Sequence, residues 1–294
     1  MTASQLLLTT MGGLTNAAYL FIVSAGLSLV FGALRVINMA HGSLYMIAAF
    51  IAAVAANALG AGLGFWGGLV LAIAVTGAIG ALIEIVVLRR VYREEHLVQL
   101  LGTYALTLII AGLVRLIFGP NLRNTPAPAL FSGNFHLAGD SYSVYSMFMI
   151  VAAIAIAAGV YAMLYRTPLG RNIRAAVSDS ELLSASGVNV ARLFTTVFVI
   201  GAALAALGGV IVAPSQAVTA TMDADVLVLA FAISVIGGLG SIVGSAVGSV
   251  IVGLVISFGL QNGSTNQFAL AFVFIIMVAV LVIRPWGLFG TAEQ

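Results

Sequence analysis

The sequence contains no cysteine. A disulfide framework, a thiolate metal site and a cysteine nucleophile are therefore excluded. It contains no lysine either, so all 11 basic residues are arginine. Without lysine there can be no G-x-x-x-x-G-K-[ST] phosphate-binding loop. Charge of any sign is scarce, at 7% of 294 residues, where soluble domains carry about 25%. The net charge of +2 gives no reason to expect a nucleic-acid partner. The opening MTASQLLLTTMGG has no basic n-region, so no cleavable signal peptide is expected there. The first span is expected to act as its own insertion signal.

What is present is apolar. Hydrophobic residues make up 62% of the chain, and its mean hydropathy is +1.18. A soluble fold this apolar could not cover its own surface. The pattern predicts an all-α, polytopic transmembrane bundle forming a single domain over 1–294. At about 20 residues per membrane helix, roughly eight to ten spans fit. Spans are predicted near 12–34, 36–59, 64–88, 98–118, 143–165 and 193–213, with two or three more over 226–283. The stretch 119–142, with Pro120, Pro126 and Pro128, reads as a loop.

Arginine placement predicts orientation, because cytoplasmic loops are enriched in Lys and Arg. Arg89, Arg90 and Arg93 cluster after the third span. Arg166, Arg171, Arg174 and Arg192 cluster after the fifth. The 119–142 loop holds only Arg123, with Arg115 just inside the span before it. The first two clusters are therefore expected in the cytoplasm. Parity adds Arg35 and Arg284 to that side and puts the N-terminus outside. Trp66 and Trp286 stand where interfacial anchors belong. Gly240, Gly244 and Gly248, with Ser241, Ser245 and Ser249 beside them, and Gly60, Gly64 and Gly68 recur every fourth residue. That spacing lets helix backbones approach closely in lipid, within one subunit or between two.

Few side chains could carry chemistry. Glu84 and Arg115 lie near span ends and are expected to snorkel. Asp223 and Asp225 read as solvated residues of an outer loop. No carboxylate is then placed at mid-membrane, which argues against proton coupling. No Ser, His and Asp constellation suggests a hydrolase. Two apolar segments are broken: Asn38-Met39-Ala40-His41-Gly42-Ser43, and Gly237-Gly238-Leu239-Gly240-Ser241. Interrupted spans in corresponding parts of a chain point to a translocation pathway. On that reading Asn38, His41, Gly42, Gly237, Gly238, Gly240 and Ser241 line or gate it. The plainer reading makes Asn38 an N-cap and His41 a partner in an interhelical hydrogen bond. His41 has no second ligand at metal spacing.

The segment 166–192 is the most informative. Thr167-Pro168 starts a helix with a capping hydroxyl and Pro at the first position. The helix continues through Arg171 and Arg174. Ser178-Asp179-Ser180-Glu181 has capping-box spacing and opens a second short helix. Gly187 is placed to end it, and Asn189 to cap the next span. A mere connection needs only a few residues. Two capped helices suggest a rigid element that docks on a cytoplasmic partner, or one that lies on lipid headgroups.

Four strings together resemble the LivH-type permease subunits of branched-chain amino acid ABC importers. Gly32-Ala33-Leu34-Arg35-Val36-Ile37-Asn38-Met39-Ala40-His41-Gly42 is similar to their "G…INFAHG" motif. Thr167 to Asp179 followed by Ala185-Ser186-Gly187-Val188-Asn189 is similar to their cytoplasmic signature. Gly237-Gly238-Leu239-Gly240-Ser241-Ile242-Val243-Gly244 and Arg284-Pro285-Trp286-Gly287-Leu288-Phe289-Gly290 match their "GGIGS.PG" and "RP.GLFG" strings. Order and spacing agree along nearly the whole chain. The resemblance implies a permease of a bacterial inner membrane, working by alternating access and without enzyme activity of its own. The implied partners are a second homologous permease, two cytoplasmic ATPases that bind ATP and Mg, and a periplasmic substrate-binding protein. This chain itself would hold no cofactor. The resemblance assigns Gly170, Arg171, Arg174, Asp179 and Gly187 to an ATPase-coupling segment, to which the capping spacing adds Glu181. Met39, Ser43 and Val243 depart from the usual residues. They leave the cargo open between branched-chain amino acids and the urea, short amides or other amino acids carried by similar permeases. A secondary transporter and a passive channel are the competing classes.

Overall fold

A computed structural model describes residues 2–92, 94–137, 140–261 and 266–290; Arg93 lies outside the described residues. The long helices are α1 (Ala3–Leu34), α2 (His41–Leu59) and α3 (Leu63–Ile83). A π-turn (Glu84–Leu88) carries α3 into the single turn α4 (Arg89–Val91). Next come α5 (His96–Phe118), the hairpin strands β1 (Asn134–Leu137) and β2 (Asp140–Ser143), and α6 (Val144–Arg166). The short α7 (Pro168–Ser178) and α8 (Ser180–Ala185) precede α9 (Val190–Val212). The chain closes with α10 (Met222–Gly237), α11 (Ile242–Gln261) and α12 (Ala269–Ile283). Among the described residues, 8 helical stretches are long and apolar enough to cross a membrane. The protein is a multi-pass membrane protein.

Three boundaries differ from the sequence reading. Helix α1 starts at Ala3, well before the apolar run, because Thr2 and Gln5 form a complete capping box. The 119–142 stretch is not all loop: β1 and β2 pair antiparallel within and just beyond it. The third concerns α10, which begins at Met222 and so takes Asp223 and Asp225 into its first turn. Its 16 residues rise only about 24 Å, short of the roughly 30 Å hydrocarbon core.

Helix α1 is the axis of the bundle. Its inner half is apolar on nearly every side, as a helix surrounded by others must be, and Leu20, Ile22 and Val23 are fully buried. Its neighbours come close where side chains are absent. A Cβ on Gly253 of α11 would fall onto the Gly13 carbonyl and the Ala17 backbone. Gly26 meets Gly201 of α9, and Gly32 meets Gly240. The serines add polar ties: Ser28 Oγ lies 2.6 Å from Ser245 Oγ of α11 and 3.1 Å from Ser234 Oγ of α10.

The α1–α2 connection re-enters the bundle. Arg35 turns the chain with φ 53°. The backbone then climbs beside α1 until His41 Nε2 lies 3.0 Å from the Val23 carbonyl. A carbonyl only accepts, so Nε2 carries the proton. Val23 sits about 16 Å along α1 from Leu34. Irregular backbone at that depth is tolerated only where protein or a cavity covers it. Here Thr103 of α5 donates to the Ile37 carbonyl at 3.2 Å. Asn38 is not the N-cap of α2. That position is Ala40, whose N–H is held by Asn38 Oδ1 at 3.1 Å. The connector between α9 and α10 is satisfied at the opposite end, where Arg123 and Val218 exchange backbone hydrogen bonds of 2.9 and 2.8 Å.

Replacing Gly253 by Leu should collapse the α1–α11 contact. Overpacking costs about 1–3 kcal/mol even where neighbours can shift, and here the obstacle is backbone. Gly67 of α3 has nothing within 4 Å of a Cβ position, so Gly67→Ala should be silent. The check is thermal stability in detergent: a clear loss for the first variant and no change for the second.

Candidate functional site

A cavity of about 850 Å³ opens at the arginine-rich end. Its wall takes Arg35 and Ile37 from the re-entrant connector and His96 and Gln99 from α5. Tyr165 of α6, Arg174 of α7, Ser241 of the α10–α11 turn and Trp286 near the C-terminus complete it. No carboxylate is among its described lining residues. Arg89, Arg90, Arg166, Arg171, Arg192 and Arg284 belong to helix ends and turns on this side, and Arg115 and Arg123 to the other.

The α10–α11 turn is shaped by glycine. Gly238 and Gly240 adopt φ of 103° and 86°, conformations that L side chains avoid. The C-terminal segment closes the end of α10. Leu288 and Phe289 donate backbone N–H groups to the Ile236 and Gly237 carbonyls, both at 2.9 Å. Arg284 holds that segment by donating to the Leu288 carbonyl at 3.1 Å. Ser241 Oγ accepts from the Gly244 N–H at 3.0 Å and starts α11. Of the residues assigned to a pathway from sequence, Gly240 and Ser241 line the cavity, while Gly237 and Gly238 are buried behind it.

Asn38, His41 and Gly42 lie deeper and are buried. Asn38 Nδ2 and His41 Nδ1 have no hydrogen-bond partner among the described residues. A Cβ on Gly42 would fall onto the Asp223 carbonyl, so α2 and α10 touch at their N-terminal turns. Ser43 Oγ donates to Asp223 Oδ2 at 3.2 Å. Asp223 is 5% exposed and does not sit in a solvated loop. The absence of an intramembrane carboxylate is therefore no longer a ground for excluding ion coupling.

Glu84 does not snorkel. It is fully buried and collects donors from three places: Arg89 Nε at 3.2 Å, the Tyr92 hydroxyl at 3.1 Å and the Thr195 hydroxyl at 2.7 Å. Arg89 also donates to Thr195 at 2.6 Å. The network ties the π-turn to the first turns of α9. Burial, with the Glu84 carboxylate beside it, pushes the Tyr92 phenol well above its ordinary range. Tyr92 thus stays protonated and keeps donating.

The segment between α6 and α9 is built as two capped helices. Thr167 Oγ1 accepts from the Gly170 N–H at 3.1 Å, with Pro168 at the first helical position. Gly170, Ile173 and Ala176 form the buried face of α7. Gly170 packs against the backbone of Leu164 and Met163. Arg174 donates to the Leu164 carbonyl and lies 5.0 Å above the Tyr165 ring. The cap of α8 is Asp179, one residue beyond the Ser178 expected from the capping-box spacing. Its carboxylate accepts from the Glu181 and Leu182 N–H groups, both at 2.9 Å. Ser178 instead ends α7, its hydroxyl donating back to the Arg174 carbonyl at 3.4 Å. Glu181 contributes its backbone there and leaves its side chain exposed. Gly187 turns with φ 91°, and Asn189 caps α9 by accepting from the Arg192 N–H at 2.9 Å. Arg171 and Leu182 remain exposed on the outer face.

Sequence reasoning missed a polar stripe on the outer half of α1, formed by Thr15, Asn16 and Tyr19. Helical spacing puts all three on one face of an otherwise apolar span, and that signal was there to be read. It also missed Asp223, for which no local signal exists.

A bundle of apolar helices, broken at two re-entrant turns and joined by a rigid two-helix segment beside a cavity, defines a membrane transport subunit. The chain belongs to the branched-chain amino acid transport system permease component family, matched over residues 9–281. It is 29% identical to the high-affinity branched-chain amino acid transport system permease protein BraD of Pseudomonas aeruginosa, over 96% of this chain and 94% of that one. It is 30% identical to the corresponding protein LivH of Escherichia coli K12, with the same coverage. The permease protein LivM of Salmonella typhimurium is 27% identical over 91% of this chain and 67% of that one. No solved structure matches the chain.

Removing either partner of the Glu84–Arg89 pair should be unequal in effect. Arg89 is 35% exposed while Glu84 is 0% exposed, so only the arginine can recover hydration. Arg89→Met, which strands a buried carboxylate, should destabilise by about 3 kcal/mol or more. Glu84→Gln, which keeps an acceptor in place, should cost about 1 kcal/mol. Denaturation midpoints of the two variants provide the comparison.

Proposed function

We propose that this chain is one permease half of an ATP-driven importer of branched-chain amino acids in a bacterial inner membrane. Its partners on this reading are a second, homologous permease, two cytoplasmic ATPases that bind ATP and Mg, and a periplasmic substrate-binding protein. The chain itself holds no cofactor and catalyses no reaction. The arginine-rich end faces the cytoplasm, in keeping with the bias of cytoplasmic loops toward basic residues.

One observation carries the mechanism: the coupling segment is a wall of the cavity. Ile173, Arg174 and Val177 of α7 line it, while Arg171 of α7 and Leu182 of α8 face outward. Caps at Thr167, Asp179 and Asn189 stiffen the segment, with Gly187 turning the chain after α8. A push on its outer face by a closing ATPase dimer would move α7 as a unit against α1 and α6. Gly170 allows the close seat, and Arg174 pins the helix to the end of α6. Cavity shape is then set by the position of α7, which is the requirement of alternating access. Asn38, His41 and Gly42 stand at the inner limit of the re-entrant connector, where such movement would be felt next.

Replacing both Arg174 and Asp179 by Ala should leave the complex inserted but separate ATP hydrolysis from uptake. Loss of the Asp179 cap alone weakens α8 by about 1 kcal/mol. The assay is ATPase activity and leucine uptake measured on the same membranes, and unchanged uptake would remove the coupling role. Asn38→Ala or His41→Ala should reduce uptake while the ATPases still copurify. Uptake that survives ATP depletion and collapses with an ionophore would overturn the importer reading in favour of a secondary transporter.

A further inference from the structure

A second cavity, of about 340 Å³, lies at the opposite end of α1. It is roofed by β2 and bounded by α1, α6 and the α9–α10 connector. Thr15, Asn16, Tyr19, Tyr142, Ser146 and Gln216 all face it. Among the described residues that line it there is no carboxylate, guanidinium or imidazole. Its volume is at the lower end of small-molecule sites, about 300–1,000 Å³.

The polar groups are arranged rather than scattered. The Tyr142 hydroxyl donates to the Met11 carbonyl at 3.0 Å and lies 2.7 Å from Thr15 Oγ1, fixing the hairpin over α1. Tyr19 of α1 and Gln216 of the connector line the same cavity. The Asn16 side chain makes no hydrogen bond to another described residue. Tyr19 is about 10 Å along α1 from Gly12, where the apolar run begins, so the polar face occupies the outer turns of the span. A polar stripe there is costly against lipid unless something polar meets it.

We propose that this outer cavity is the receiving site for the transported solute, and that it selects solutes with no net charge but strong dipoles, such as an amino-acid zwitterion. Carboxamides and hydroxyls supply donors for a carboxylate and acceptors for an ammonium. No described lining side chain neutralises a lone anion or cation, whose burial without a counter-charge is unfavourable. The assignment rests on the importer reading, and it adds which face of α1 meets the solute first.

The natural absence of cysteine makes the test direct. Asn16→Cys and Gln216→Cys each place the single thiol of the chain in the cavity. Leu130→Cys places one on the outer loop between α5 and β1, where Leu130 is 79% exposed. Intact cells carrying the whole importer are labelled with a thiol reagent whose impermeant charged group sits on a linker long enough to stay outside the cavity. Both cavity thiols should react, and L-leucine at about ten times its half-saturating concentration should slow them about tenfold. The Leu130→Cys thiol should react and be indifferent to leucine. 4-Methylpentanoate and 3-methylbutylamine, which carry leucine's aliphatic body with one charge each, should protect neither cavity thiol. In parallel, Asn16→Leu should raise the uptake KM about tenfold, as expected for a lost hydrogen bond to a charged group, with maximal rate little changed. Cavity thiols unprotected by leucine would mark a water-filled cleft and overturn the site. Equal protection by the lone anion or cation would overturn its charge selection. The two readings fail separately: uptake independent of ATP with protection intact sinks only the importer, and ATP-driven uptake without protection sinks only this site.

Discussion

Helices in lipid gain nothing from hiding apolar side chains from one another, since the solvent is already apolar. What holds them is close contact, and close contact requires small residues. In this protein that requirement converges on α1. Gly13, Gly26 and Gly32 mark three levels of the helix at which α11, α9 and the α10–α11 turn come within backbone reach. Ser28 reinforces the grip through Ser234 and Ser245. A side chain at any of these glycines would push its neighbour away from α1. The re-entrant connectors depend on the same axis, because a non-helical backbone survives at depth only when α1 and α5 cover it.

That packing also divides the molecule. Both cavities touch α1, one at each end, and between them the helix is enclosed by fully buried side chains such as Leu20 and Ile22. The inner cavity is walled by guanidinium groups, aromatic rings and α7. The outer one is walled by neutral hydroxyls and amides. A single rigid rod thus separates two chemically different compartments. Movement of its neighbours, rather than of the rod, is the route by which one compartment could open as the other closes.

Much of this was legible in the sequence. Hydropathy located the long spans, since each needs its own apolar run. The capped segment was legible because Thr167, Asp179, Gly187 and Asn189 act on backbone within a few residues. The cap of α8 slipped by one position because Ser178 and Asp179 both offer an oxygen and only the local φ and ψ choose between them. Features that depend on distant chain were invisible. Asp223 reads as a loop residue until α2 brings Ser43 beside it. Glu84 reads as a snorkelling residue until Thr195, more than a hundred positions later, arrives as its donor. The polar face of α1 has plain helical spacing, but three neutral side chains barely lower the hydropathy of a 32-residue helix, whereas a single charge would interrupt it.

The shortness of α10 has a bearing on how the chain is made. At 16 residues, with two acids in its first turn, it is a poor candidate to leave the translocon for lipid by itself. It becomes a membrane element only as a hairpin with α11, whose Gly244 seats against Gly237. Even then its last carbonyls wait for Leu288 and Phe289, which follow α12 in the chain. The end of α10 is therefore sealed only after α12 has been made. A chain stalled or clipped before Arg284 would leave the inner compartment with an open seam and unsatisfied carbonyls, a form suited to recognition by membrane quality-control proteases.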